Sequence, residues 1–118
     1  MKNDKFLIES ILKNIGNIER FIKRIDYAEF IKDTEKQFAV YKALENIGEA
    51  VKNLSKSLKQ KYPFIEWREI AGMRDKLSHE YFSIKVERVW ETVKRDVPKF
   101  KETIFKIKKN INFKNVIF

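Results

Sequence analysis

The sequence predicts an all-α protein, an antiparallel up-and-down bundle of four to five helices. Apolar residues recur at alternating steps of three and four along most of the chain, the period of an amphipathic helix. Only three Gly and two Pro interrupt 118 residues, too few breakers for a fold of short strands and turns. The length fits one domain, residues 1–118, able to bury about two-thirds of its unfolded surface.

The first helix runs from Asp4 to Ile25, where Ile8, Ile11, Ile15, Ile18, Ile22 and Ile25 form one stripe. A polar stretch from Asp26 to Asp33 follows, with Tyr27, Ala28, Phe30 and Ile31 as a short helical turn. Thr34 and Gln37 have the spacing of a capping box, in which hydroxyl and amide side chains satisfy free N–H groups at a helix start. The second helix therefore begins at Thr34. Its seam of Val40, Leu44, Ile47, Val51, Leu54 and Leu58 carries it to Tyr62-Pro63, where proline disfavours a helical residue ahead of it. Gly48, in mid-helix, costs about 1 kcal/mol against alanine and points to a close helix approach. A third, shorter helix follows from Ile65 through Trp67, Ile70, Ala71, Arg74 and Leu77. Ser83 is read as the cap of the next. There Val86, Trp90, Val93, Val97, Phe100, Ile104 and Ile107 hold one spacing across Pro98, which predicts a single long helix bent at the proline. Two helices with Asp96 as a new cap is the alternative. The apolar residues of the tail, Asn110 to Phe118, suggest docking on the body or on a second subunit.

Composition removes several kinds of function. Without cysteine there is no disulfide framework, thiolate metal site or cysteine nucleophile, and one histidine, His79, makes a zinc site an unusual choice. No metal or cofactor is expected. The N-terminal apolar run breaks after three residues and no segment approaches a membrane span, so a cytoplasmic protein without membrane contact is expected. The balance of 26 basic against 17 acidic residues gives +9, which makes a polyanion the first candidate partner. Lys99, Lys101, Lys106, Lys108, Lys109 and Lys114 concentrate that charge in the last third. Glu45 and Glu49, one turn apart beside Gly48, have the spacing of an acid/base or cation-binding pair, although such pairs are most often a solvated face.

The unusual chemistry lies in Arg74-Asp75-Lys76-Leu77-Ser78-His79-Glu80-Tyr81. Within eight residues it combines a fixed positive charge, an imidazole able to give and take a proton and a phenolic hydroxyl. Cleaving RNA needs a base for the 2′-hydroxyl proton, an acid for the leaving 5′ oxygen and a cation for the charge on the transition state. One histidine does not easily hold both proton roles. A homodimer bringing two His79 and two Arg74 together across a two-fold axis is the economical solution. On an unbroken helix Arg74 and His79 stand about 140° apart, so they meet only if the helix ends between them or a second chain contributes.

The stretch from Tyr62 to Phe82, the later Val89-Trp90-Glu91-Thr92-Val93 and the earlier Leu44-Glu45-Asn46-Ile47-Gly48-Glu49-Ala50 together resemble the HepT-like HEPN family. The resemblance implies a dimeric helical bundle acting as the toxin of a toxin–antitoxin pair, with a minimal nucleotidyltransferase as antitoxin. It further implies a metal-independent endoribonuclease whose Arg-x-x-x-x-His-x-Tyr motif maps onto Arg74, His79 and Tyr81. Arg74 would hold the scissile phosphate of an RNA, with tRNA the expected target, and His79 would move the proton. Tyr81 would receive AMP from the antitoxin. Asp75 would pair with Arg74 and weaken its grip on phosphate, while Ser78 would add a hydrogen bond. A different class of function fits the same residues: a non-catalytic subunit that binds nucleotide or substrate for the nucleotidyltransferase.

Overall fold

The computed structural model describes the backbone of residues 2–79 and 83–117 and the side chains of residues 3–79 and 83–111. Its elements are α1 (Lys2–Ile22), α2 (Tyr27–Phe30), α3 (Thr34–Asn53), α4 (Lys56–Lys61), α5 (Trp67–His79), α6 (Val86–Glu91), a π-helical turn (Thr92–Asp96) and α7 (Val97–Ile117). Among the described residues there is no strand. No described helix is long and apolar enough to cross a membrane. The all-α bundle is the architecture the periodicity predicts.

The stripe of α1 is the centre of the core. Ile8, Ile11, Ile15 and Ile18 are fully buried, against Val40, Leu44, Ile47 and Val51 of α3 and Ile104 and Ile107 of α7. Polar contacts fix the pairing of α1 with α3: Asp4 binds Ser55 and Asn14 binds Asn46, so the two helices run in opposite directions. Asn46 Nδ2 donates to Asn14 Oδ1 at 3.1 Å, and Asn14 Nδ2 donates to the Ser10 carbonyl at 2.9 Å, which satisfies a buried amide.

Several boundaries differ from the expected ones. The first helix starts at Lys2 and stops at Ile22, short of Ile25. Asp33, rather than Thr34, caps α3, accepting the Lys36 N–H at 3.0 Å, while Gln37 Nε2 donates to the Phe30 carbonyl at 2.8 Å. An aspartate is the better N-cap, and Thr34 sits inside the helix. The second helix does not continue to Tyr62. It breaks at Leu54, whose φ of −64° and ψ of 147° are extended, and α4 restarts behind Ser55. The buried Asp4 carboxylate takes both the Ser55 N–H at 2.9 Å and the Ser55 hydroxyl at 2.6 Å. The Ser55 hydroxyl oxygen in turn accepts from Leu58 N–H at 3.2 Å. Trp67 closes the next corner by donating its indole N–H to the Lys59 and Tyr62 carbonyls at 3.2 and 3.0 Å. Ser83 does not cap α6; Lys85 holds the N-cap position without a side-chain hydrogen bond.

From Val86 to Ile117 the helix is continuous across Pro98, and Asp96 starts no new helix. Proline lacks an N–H and its ring collides with the carbonyl four residues back, that of Lys94. Lys94 lies within the π-turn, whose wider loop ends with the Val97 N–H bonding to the Thr92 carbonyl, five residues back. The wider turn accommodates the proline where a regular α-turn would not. The tail continues α7 to Ile117; Ile111 packs against the core and Asn110 Nδ2 donates to the Tyr62 hydroxyl at 2.9 Å, so its first residues dock on the body, while the docking expected of Phe113, Val116, Ile117 and Phe118 lies outside the described residues.

The close approach expected at Gly48 is between α3 and α5. A Cβ on Gly48 would lie 2.9 Å from the Arg74 nitrogen and 3.1 Å from the Ile70 carbonyl oxygen. Both are backbone atoms, so no rotamer change relieves the overlap. Alanine gains about 1 kcal/mol in helix propensity, whereas overpacking of this kind costs about 1–3 kcal/mol. Gly48→Ala is expected to lower the urea unfolding free energy and to move α5; a stability raised by the full propensity gain would contradict the contact.

Candidate active site

Because Gly48 admits the α5 backbone, Glu49, the next residue on α3, and Glu45, three residues before it, meet α5. Arg74 and Ser78 lie four apart on α5 and face Glu49 and Glu45, which lie four apart on α3. Arg74 Nε is 2.9 Å from Glu49 Oε2, and Arg74 Nη1 donates to Asp75 Oδ1 at 3.1 Å. Ser78 Oγ donates to Glu45 Oε2 at 2.6 Å, whose second oxygen lies 3.8 Å from Lys42 Nζ. Asp75, hydrogen-bonded to the guanidinium, and then the charges of Glu49 and Glu45 raise the Arg74 pKa further and keep the side chain positive.

Arg74 is part-exposed, its side chain 35% accessible, so this cluster sits at the surface of the bundle. His79 is the last described residue of α5 and is exposed. Nothing interrupts α5 between the two, so they stand about 140° apart around the helix axis and one chain does not bring their heads to one point. Tyr81 lies outside the described residues. The structure therefore brings Arg74, Asp75, Ser78, Glu45 and Glu49 into one cluster and leaves His79 beside it on a different face.

A third face of α5 borders a cleft of about 480 Å³, floored by Leu44, Met73, Leu77 and Ile84, with Lys76, Lys85 and Arg88 also lining it. Neither Arg74 nor His79 lines this cleft.

The chain matches the ribonuclease HepT-like family over residues 11–107. It belongs to that family. It is 43% identical over 111 residues to "Putative RNase MJ1216" of Methanocaldococcus jannaschii, covering 94% of this chain and 92% of that protein. It is 44% identical over 108 residues to "Probable ribonuclease HepT" of Thermococcus cleftensis, covering 92% and 98%. A third relative, "Gamma-glutamylcyclotransferase and putative RNase MJ0434" of Methanocaldococcus jannaschii, is 40% identical over 111 residues, which are 94% of this chain and 50% of that protein. No solved structure gives a significant match. Membership assigns the chain to the ribonucleases, with RNA as the substrate class.

For a HepT-like chain, the residues that sequence reasoning undervalued are Glu45 and Glu49. Their spacing reads as a solvated face, and their partners lie on another helix. The signal was Gly48 between them, because a glycine in mid-helix marks where a neighbouring backbone arrives, and α5 carries Arg74 there. Surface ion pairs contribute little to stability. Arg74→Ala and His79→Ala are accordingly expected to melt within about 5 °C of the wild type, as followed by circular dichroism. A larger drop in either variant would make that residue a structural one.

Proposed function

We propose that this chain is a metal-independent endoribonuclease toxin of a toxin–antitoxin pair, cutting cytoplasmic RNA, with tRNA the expected target, at a site built by two copies of the chain. The observation that carries the reading is the motif itself: in a HepT-like chain, Arg74 and His79 lie on one unbroken, surface-exposed helix. The reaction is transesterification. The 2′-oxygen bonds to phosphorus as its proton goes to a base, the bond from phosphorus to the 5′ oxygen breaks, and an acid protonates the leaving oxygen. The products are a 2′,3′-cyclic phosphate and a free 5′-hydroxyl. His79 from each chain supplies the base and the acid, and Arg74 stabilises the extra negative charge on the phosphorane.

Glu49 and Asp75 engage Nε and Nη1 of Arg74, so Nη2 is the amino group that these two contacts do not use. Phosphate approaching that edge competes with two carboxylates. The same competition favours a second reading, in which the chain binds nucleotide or substrate for a minimal nucleotidyltransferase and cleaves nothing. On the toxin reading that enzyme is the antitoxin and transfers AMP to Tyr81. The added phosphates would occupy the Arg74 fork and repel RNA.

Purified wild-type protein incubated with end-labelled tRNA in excess chelator is expected to leave cyclic-phosphate ends. His79→Ala and Arg74→Ala are each expected to lower that activity by about 100-fold or more. Full activity in either variant, or no cleavage by folded and unmodified wild type, would overturn the toxin reading.

A further inference from the structure

We propose that α7 carries a second RNA contact outside the Arg74 and His79 motif, in which Phe105 stacks on a base of single-stranded RNA while Lys106 and Lys109 hold its phosphates. The inference rests on RNA being the substrate. Glu102, Phe105, Lys106 and Lys109 recur at steps of three, one and three, which puts them on one face of α7. They line a shallow concavity of about 590 Å³. Phe105 is 42% exposed, although the helix buries Ile104 and Ile107 on either side of it. Its ring has Lys101 Nζ at 5.9 Å from the centroid, and Lys101 is itself held by both oxygens of Glu19, at 3.0 and 2.9 Å.

Lys106 and Lys109 are exposed and have no acidic partner within ion-pair distance among the described residues; Glu102 is the acidic residue that shares their face. Lys99, also exposed, extends the same edge toward the π-turn. An aromatic ring set among ammonium groups suits a nucleic acid strand, since every base offers a π-face and every linkage a negative charge. It suits a protein partner poorly, because interface centres are depleted of lysine and need contiguous apolar surface. The net charge of +9 adds attraction of the same sign.

The test measures binding of fluorescently labelled single-stranded RNA to the full chain carrying His79→Ala, which keeps the RNA intact, across a series of salt concentrations. Adding Phe105→Ala is expected to weaken binding by about 5- to 150-fold at every salt concentration without changing the salt slope. Phe105→Tyr should retain the affinity. Adding Lys106→Ala with Lys109→Ala is expected to flatten the slope of log affinity against log salt by about 1.4, or roughly 0.7 for each phosphate no longer neutralised. Affinity and slope both unchanged in a parent that binds RNA would overturn the inference, and the ribonuclease reading would stand if wild type still cleaves. A parent that binds no RNA also overturns it, and wild-type cleavage then decides separately whether the ribonuclease reading survives.

Discussion

The missing side chain at Gly48 is the constraint on which the site depends. With 2.9 Å between a would-be Cβ and the Arg74 backbone nitrogen, α3 and α5 touch backbone to backbone in a way no other residue type permits. That contact fixes the register of α5. Once it is set, Arg74 and Ser78 must face Glu49 and Glu45, Met73 and Leu77 must face the cleft toward α6, and His79 is left toward solvent. A slip of one residue along α5 would rotate all of them by about 100°.

Charge acts with opposite signs at two scales. The whole chain is strongly positive and draws RNA from a distance, whereas Arg74 sits among Glu45, Glu49 and Asp75. These carboxylates orient the guanidinium and oppose a phosphate. At a part-exposed site water screens the carboxylate pairs, and exposed ion pairs of this kind contribute little. A two-pronged Arg–phosphate contact is among the stronger charge-assisted ones. On the proposed reading the phosphate therefore wins the competition, and the carboxylates act mainly on the direction in which Arg74 is held.

What was legible in the sequence was whatever one helix decides by itself. The isoleucine stripe of α1, the seam of α3 and the continuity of the last helix across Pro98 all follow from periodicity. Gly48 was legible as a close approach but not as an approach by α5. The break at Leu54 was not legible, because the carboxylate that caps Ser55 belongs to Asp4, at the far end of the paired helix. Asp33 displacing Thr34 as a cap is a choice between adjacent good candidates that spacing alone does not make. The π-turn before Pro98 is a backbone adjustment with no residue signature of its own. At the site, Arg74, Asp75 and Ser78 were named from the motif, but Glu45 and Glu49 became their partners only through the long-range packing of α3 on α5.

On the two-chain reading, the unbroken α5 keeps Arg74 and His79 of one chain apart, and the reaction centre takes residues from two chains. Titrating His79→Ala protein into wild type under conditions that exchange subunits, with RNA cleavage assayed in chelator, tests that arrangement. Cleavage per wild-type chain is expected to fall as the variant is added, because a mixed dimer carries one His79 where two are needed for base and acid. Cleavage per wild-type chain that stays constant while mixed dimers demonstrably form would contradict the two-chain site.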